Sequence, residues 1–575
     1  MQYNSPKRNR WLVEQAPVWI LALLGLWLVV IRPLGPCLAL LPGDLGDGRF
    51  NNYLLEHFYR WLSGADPNYW NATFFYPFPN TIAFSDNLLG SAPIYAMERA
   101  LGLDRETAFQ AWYILGYALN FAAAAYALQR LRLKPLAAAS GAFIFTFGLP
   151  ILAQENHVQL LYRLGIPLAC VLLWDFFNEP ALKKLVGVAF WLTWQMAAGI
   201  YMGIFLGILL AVMAVLMPLF VPLAYGPPAQ ARWITRAALA IWKALILWPL
   251  KLKQGWNQAT PIGRLAATLA IFGLGLCLGG LLWPYYQVTT TYGFYRHWDE
   301  VALMLPQVRS YFIADASLIW KPVSSLIPNF NARGEHQLFP GGMVLLLILA
   351  GITWRFSSRQ RRMAFLHLTA ALVLVVMTLN IHGFSLFHAL WSLPGMKSLR
   401  AVTRVELAFI WPLAIFASYV IDALVRKNRP WLTAILYLVA GLLVIESALY
   451  NHAATSKVAA QACLAPLRAQ LATLTLPVNP VLLVARPPSE PWYVPEIDGM
   501  LLAQELGWPT LNGYSGNFPP GFKAADSCQR FPDQIKNYMT FARISDPSFY
   551  LSIMQRVVPL GFSDCNPAWW AKTPH

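Results

Sequence analysis

Charge is scarce in this sequence. Only 12% of its 575 residues are Asp, Glu, Lys or Arg, about half the share of an ordinary soluble domain. Two stretches, Leu185 to Ala231 and Leu265 to Tyr295, contain no charged side chain at all. Each exceeds the roughly 20 apolar residues with which a helix crosses a bilayer, so a soluble multidomain enzyme is excluded. Cysteine is also rare, six in all, and there is no paired Cys-x-x-Cys. No His-Glu-x-x-His helix, phosphate-cradling glycine loop or nucleophilic serine motif occurs, so zinc hydrolysis and ATP-driven transport find no support.

What is abundant is apolar surface, 57% of residues, broken by short basic clusters. A net charge of +16 would point to nucleic acid in a soluble protein. Here the clusters sit between apolar segments and report topology, with no nucleic-acid partner. They are Lys7, Arg8 and Arg10; Arg130, Arg132 and Lys134; Lys183 and Lys184; Arg232 through Arg264; Arg355, Arg359, Arg361 and Arg362; and Arg426, Lys427 and Arg429. Each follows an even number of spans if the N-terminus is cytoplasmic.

On that basis the chain is predicted to be mainly α, a polytopic bundle of about eleven spans. Their centres fall near Leu24, Leu119, Ile144, Leu168, Trp194, Val212, Leu274, Leu346, Leu374, Ile415 and Tyr437. Val18 to Ile31 follows a basic start, as in a signal peptide, but no small-residue cleavage site succeeds it, and it reads as the first span. Ala238 to Leu250 reads as a helix in the cytoplasmic interface. Composition shifts near Asn451, which divides the chain into a transmembrane module, 1–450, whose acidic first outer loop is 42–106, and an extracytoplasmic C-terminal domain, 451–575. Val481 to Ala485 is compatible with a buried strand and Pro495 to Leu506 with a helix, giving a small α/β domain. Cys463, Cys528 and Cys565 fall in it, where one disulfide is possible and its pairing is open. Cys170 and Cys277 lie in apolar spans and read as small core residues.

Candidate chemistry gathers in the outer loops. Asp44, Asp47 and Arg49 crowd the point where the chain leaves the first span; the alternative is that Asp44 caps the next helix and Asp47 is a turn residue. Asp86 follows a Tyr- and Phe-rich segment, Tyr69 to Phe84. Aromatic faces and separated carboxylates suit a sugar, whose C–H faces stack and whose hydroxyls donate hydrogen bonds. Asp86 as the N-cap of a helix starting at Asn87 is the alternative. His157 and Gln159, at the end of the third span, are further candidates, against a helix end that merely meets water. Tyr201, in the outer turn Gly199-Ile-Tyr-Met-Gly, faces the same region or is an interface tyrosine.

Lys397, Arg400 and Arg404 lie on the side the positive-inside bias depletes. A lipid phosphate is an economical partner, because guanidinium matches its oxygens; headgroup pairing is the alternative. The long loop after the seventh span holds Arg296, His297, Glu300, Arg309, Glu335 and His336 without diagnostic spacing.

The segments Gly43-Asp-Leu-Gly-Asp-Gly-Arg-Phe, Ser85-Asp-Asn-Leu-Leu-Gly, Glu155-Asn-His-Val-Gln, Ser398-Leu-Arg-Ala-Val-Thr-Arg and Asn512-Gly-Tyr-Ser-Gly-Asn-Phe-Pro-Pro-Gly resemble, in that order, the polytopic membrane glycosyltransferases of the C-type fold. The likeness is strongest to bacterial members that use a polyprenyl-phosphate-linked sugar. It implies that Asp44 or Asp47 is the base on the acceptor hydroxyl. Asp47 is slightly favoured, because Asp, Arg49 and Phe50 follow the acidic, Arg and aromatic signature of aminoarabinose and protein mannosyl transferases, with a spacing one residue shorter. It further implies acceptor or sugar binding by Arg49, Asp86, His157, Gln159, Tyr201 and Tyr514, and lipid-phosphate binding by Arg400 and Arg404.

Transfer would invert the anomeric centre, to a glycan, lipid or protein acceptor, with no nucleotide, cofactor or obligatory metal. The site would face the periplasm from a bacterial inner membrane, among membrane lipids. A lipid-linked sugar flippase or transporter is the rival reading, though no internal repeat is evident and the acidic groups lie in loops. A non-catalytic envelope assembly protein is the third.

Overall fold

The computed structural model describes residues 5–220, 233–393, 395–486, 491–524 and 531–561. Nine helices among them are long and apolar enough to cross a membrane. They are Glu14–Leu34, Arg105–Arg130, Pro135–Leu152, Val158–Asn178, Ile200–Phe220, Pro261–Tyr292, Ser358–Thr378, Val402–Val425 and Pro430–Ala448. The two remaining predicted spans are shorter helices, Leu182–Ala198 with 17 residues and Gly342–Thr353 with 12. All eleven predicted centres therefore lie in helices, and the chain is a mainly helical, multi-pass membrane protein.

Burial grades the bundle from centre to edge. The windows within Pro135–Leu152 and Val402–Val425 are 94% and 89% buried and that within Pro261–Tyr292 only 11%, so the first two form the hub and the third lies at the edge. Close helix approach at the hub uses small residues, as bilayer packing requires: a Cβ on Gly141 would meet Ser418 Oγ at 2.0 Å. Cys170 is buried, as a core residue should be, whereas Cys277 is exposed because its helix is so lightly covered. Cys528 and Cys565 lie outside the described residues.

The basic connections meet at one end. Asp422 accepts the Lys134 N–H (2.9 Å) and the Gln360 amide (2.9 Å) and pairs with Arg426, which also reaches the Arg132 carbonyl (2.9 Å). Arg130 pairs with Asp175 close by. The helix Trp233–Gln258, which contains the predicted interfacial segment, joins two spans at this end.

At the opposite end the segment after the first span meets the chain that follows the last span. Leu40–Pro42 pairs antiparallel with Ala454–Ser456, and Val481–Val484 pairs parallel with Val557–Leu560. The helix Tyr493–Leu506 packs on Asp47–Leu62, with Gln504 donating to the Tyr53 carbonyl (3.0 Å). The 32 residues of Pro261–Tyr292 rise about 48 Å, longer than the hydrocarbon core. The surplus stands beside the aromatic loop, where the Tyr285 hydroxyl donates to the Ser85 carbonyl (2.8 Å) and that of Tyr292 to the Pro79 carbonyl (2.9 Å).

Candidate functional site

The site is built at the start of the helix Asp47–Leu62. Asp44 Oδ1 accepts the backbone N–H groups of Gly46 (3.0 Å) and Gly48 (3.2 Å), which uses the carboxylate to turn the chain into the helix. The turn is tight: a Cβ on Gly48 would lie 3.1 Å from the Pro42 carbonyl oxygen. Asp47 then occupies the first helical turn, where the positive end of the helix dipole favours an anion.

Both Asp47 oxygens are engaged from distant parts of the chain. The Tyr514 hydroxyl donates to Oδ1 (2.6 Å) and His157 Nδ1 to Oδ2 (2.7 Å). The other ring nitrogen of His157 donates to Glu335 Oε1 (3.1 Å). Glu335 in turn takes two hydrogen bonds from Arg404, Nη2 to Oε1 (2.8 Å) and Nε to Oε2 (3.2 Å). The sequence Tyr514, Asp47, His157, Glu335, Arg404 is thus one continuous chain of side chains. Asn51 braces it, its amide donating to the Asp47 carbonyl (2.7 Å) and to Gln159 Oε1 (3.0 Å).

The charges reinforce one another. Burial pushes Asp47 up, but the His157 hydrogen bond and charge, the Tyr514 hydroxyl and Arg404 outweigh it and hold Asp47 below its ordinary value. Glu335 is likewise driven up by burial, yet Arg404 and His157 hold it well below the usual carboxylate range. Burial and Arg404 push His157 down; Asp47 and Glu335 overcome them and raise it. An imidazolium between two carboxylates is the charge state that satisfies all three groups. Tyr514, driven up by burial and by Asp47, stays a neutral donor.

Around this row stand the basic residues. The Arg404 guanidinium lies 5.3 Å from the centroid of the Tyr201 ring, within cation–π range. The Tyr201 hydroxyl donates nothing to it; its oxygen accepts the Arg400 backbone N–H (2.8 Å). Arg400 is partly exposed and approaches Glu300 at 3.6 Å, and Glu300 is also paired with Arg296 (3.3 Å).

The structure therefore brings Asp47, His157, Gln159, Tyr201, Tyr514, Arg400 and Arg404 into one neighbourhood, with Asp44 shaping its floor. Arg49 points elsewhere, to Asp498, which also pairs with Arg486 (2.7 Å). Asp86 does not cap a helix at Asn87; its Oδ1 accepts the Ile200 N–H (2.7 Å), pinning the turn that carries Tyr201. Burial pushes the Asp86 carboxyl up, against that hydrogen bond and the charge of Arg404.

Glu335 is the residue sequence reading left without a role, since the titratable groups of its loop have no diagnostic spacing and its partners are 178 and 69 residues away. Among the described residues no group of three or more His, Cys, Asp and Glu is arranged to hold a metal ion.

No family model and no curated protein sequence matches this chain. Its structure is similar to that of the archaeal oligosaccharyltransferase AglB from Archaeoglobus fulgidus, solved with an inhibitory peptide and a dolichol-phosphate. That match has 13% identity and a TM-score of 0.48, and covers 96% of this chain and 72% of that one. The arabinofuranosyltransferase AftD from Mycobacteria is similar at 12% identity and a TM-score of 0.43, over 83% of this chain and 29% of that one. A second Archaeoglobus fulgidus oligosaccharyltransferase structure, tethered to an acceptor peptide containing the NVT sequon, is similar at 12% identity and a TM-score of 0.47, over 88% of this chain and 64% of that one. This chain thus spans less than two thirds of the latter two chains, and identities this low carry no assignment of individual residues.

Proposed function

We propose that this protein is a membrane glycosyltransferase that moves a sugar from a polyprenyl-phosphate donor to an extracytoplasmic acceptor, with Asp47 as the base. The observation that carries the reading is the Asp47 carboxylate itself. It lies at the end of the bundle opposite the basic connections, oriented through both oxygens by Tyr514 and His157, and is linked through His157 and Glu335 to an arginine suited to phosphate. Positive-inside bias supports an extracytoplasmic position for that end, and the resemblance to bacterial transferases supports an inner membrane.

In the proposed step the acceptor oxygen attacks the anomeric carbon and its proton passes to Asp47. The bond between the anomeric carbon and the phosphate oxygen breaks, and the electron pair leaves on the phosphate. One displacement inverts the centre. A carboxylate held below its ordinary pKa is a weak resting base; it orients the hydroxyl and takes the proton as positive charge develops on the attacking oxygen in the transition state. Arg400, the more exposed of the two arginines, receives the departing phosphate, while Arg404 fixes Glu335 and the field around it. Tyr514 brings the 451–575 segment into the acceptor side.

Every oxygen of Asp47 and Glu335 already accepts a hydrogen bond. His157 and Arg404 supply the positive charge that answers both carboxylates, and no step is assigned to a divalent cation.

The test is mass spectrometry of cell-surface glycans and lipid-linked sugars from cells expressing the intact protein, Asp47→Asn or Asp44→Asn at equal membrane abundance. A sugar missing from its acceptor while its polyprenyl carrier accumulates in Asp47→Asn is the expected result. Unchanged glycans in both variants would overturn the reading in favour of transport or envelope assembly.

A further inference from the structure

A second binding region lies at the basic end, on the face of the bundle that the proposed transfer does not use. Three helices, Leu182–Ala198, Trp233–Gln258 and Pro261–Tyr292, border an open cleft of about 370 Å³. Its walls include Leu182, Leu185, Leu252, Trp256 and Ile271, and Lys253 lines it as well. Leu252, Trp256 and Ile271 are exposed, so the cleft is apolar and open to the membrane. Arg264 extends its rim, with its guanidinium 5.7 Å from the centroid of the Trp256 ring.

Among the described residues neither Lys253 nor Arg264 forms an ion pair with a carboxylate. None of the three helices contains Asp or Glu. Arg264 spends its donors on the carbonyls of Trp256 (2.8 Å) and Asn257 (3.4 Å). An apolar trough edged by uncompensated Lys and Arg, at the membrane boundary and on the positive-inside end, is complementary to an anionic lipid: acyl chain on the apolar wall, phosphate on the cations.

We infer that this cleft is a binding site for an anionic glycerophospholipid of the cytoplasmic leaflet, held by Lys253 and Arg264. The polyprenyl donor is not the occupant, because the cleft lies at the end of the bundle opposite Asp47, and a phosphate there could not reach it. The site has a structural consequence. Pro261–Tyr292 is the least buried span, and its packing is chiefly on Leu182–Ala198. A lipid wedged at its basic end steadies the same helix whose far end, through Tyr285, holds the Ser85 carbonyl and the Asn87 amide.

The purified full-length protein, in detergent, is incubated with an equimolar mixture of phosphatidylglycerol and phosphatidylcholine, and retained lipid is counted by native mass spectrometry. The two cations, Lys253 exposed and Arg264 half-buried, predict a preference for phosphatidylglycerol of about tenfold or more. Lys253→Gln with Arg264→Gln should abolish that preference. Thr268→Trp, which fills the cleft without touching a charge, should reduce retention of lipid as such. Quenching of tryptophan fluorescence by acyl-brominated phosphatidylglycerol should fall in Trp256→Phe by more than in Trp283→Phe, an exposed tryptophan of Pro261–Tyr292 that lies outside the cleft. Equal retention of both headgroups, unchanged preference in the double variant, or displacement of phosphatidylglycerol by polyprenyl phosphate at equal concentration would each overturn the inference.

Discussion

Arg404 grips Glu335 through two parallel hydrogen bonds while its guanidinium lies against the Tyr201 ring. The planar fork meets both carboxylate oxygens and the ring at once, a geometry that ammonium does not reproduce. Arg404→Lys should therefore fail to rescue what Arg404→Ala loses. Removing either partner strands a largely buried charge, and Glu335→Gln or Arg404→Ala should lower stability by about 3 kcal/mol. Thermal unfolding of the detergent-solubilised variants checks this, and a wild-type melting curve for Arg404→Lys would sink the argument.

Asp44 and Asp47 separate by what they hold. Asp44 accepts two backbone N–H groups, a task Asn performs nearly as well, so Asp44→Asn should change stability and transfer little. Asp44→Ala should cost about 1 kcal/mol of stability through the lost cap. Asp47→Asn keeps the size and loses the charge, and transfer should fall by about a hundredfold or more. Comparable loss in Asp44→Asn and Asp47→Asn, with both proteins equally stable, would assign the chemistry to Asp44 instead.

The spans were legible because two independent signals, apolar length and the alternation of basic loops, agree along the chain. The short helices around Trp194 and Leu346 were still found, since the charge alternation demanded a crossing where length alone was weak. The site was legible only in part. Asp47 and Arg404 stood out as charges in unexpected places, but nothing in local sequence separates a carboxylate that turns a loop from one that faces a cleft. What sets Asp47 apart is its hydrogen bonds from Tyr514 and His157, 467 and 110 residues away. Glu335 had no local signal at all. Arg49 looked like part of the acidic loop's chemistry by adjacency, yet the helical turn it occupies swings it toward Asp498.

The Asp47, His157 and Glu335 row sets a pH window for stability. Asp47 and Glu335 have folded pKa values below their ordinary 3.8 and 4.5. Their contribution is present above those ordinary values and is lost as pH falls through the lower folded ones. His157 is raised above 6.5, so its contribution is complete below 6.5 and is lost as pH rises through its folded value. Melting temperature should thus decline on the alkaline side, and His157→Gln should flatten that decline while lowering the plateau. An alkaline limb of unchanged slope in His157→Gln would show that another group sets it.

Arg400 offers the cleanest separation of substrate binding from folding. Its side chain is 39% exposed and its one ion pair among the described residues, with Glu300, is loose at 3.6 Å, so Arg400→Gln should leave the melting temperature within about a degree, as exposed pairs contribute little. If the arginine takes the donor phosphate, losing one charge-assisted contact should raise the KM for the lipid-linked donor by about tenfold or more. Tyr201→Phe is the matched control: it removes the acceptor for the Arg400 N–H (2.8 Å) but keeps the ring beneath Arg404. It should lower stability by about 1 kcal/mol and raise KM less than Arg400→Gln does. Steady-state transfer from a purified lipid-linked donor, with acceptor saturating, reads both. A KM unchanged in Arg400→Gln would remove Arg400 from the phosphate site and leave Arg404 to fill that role after release from Glu335.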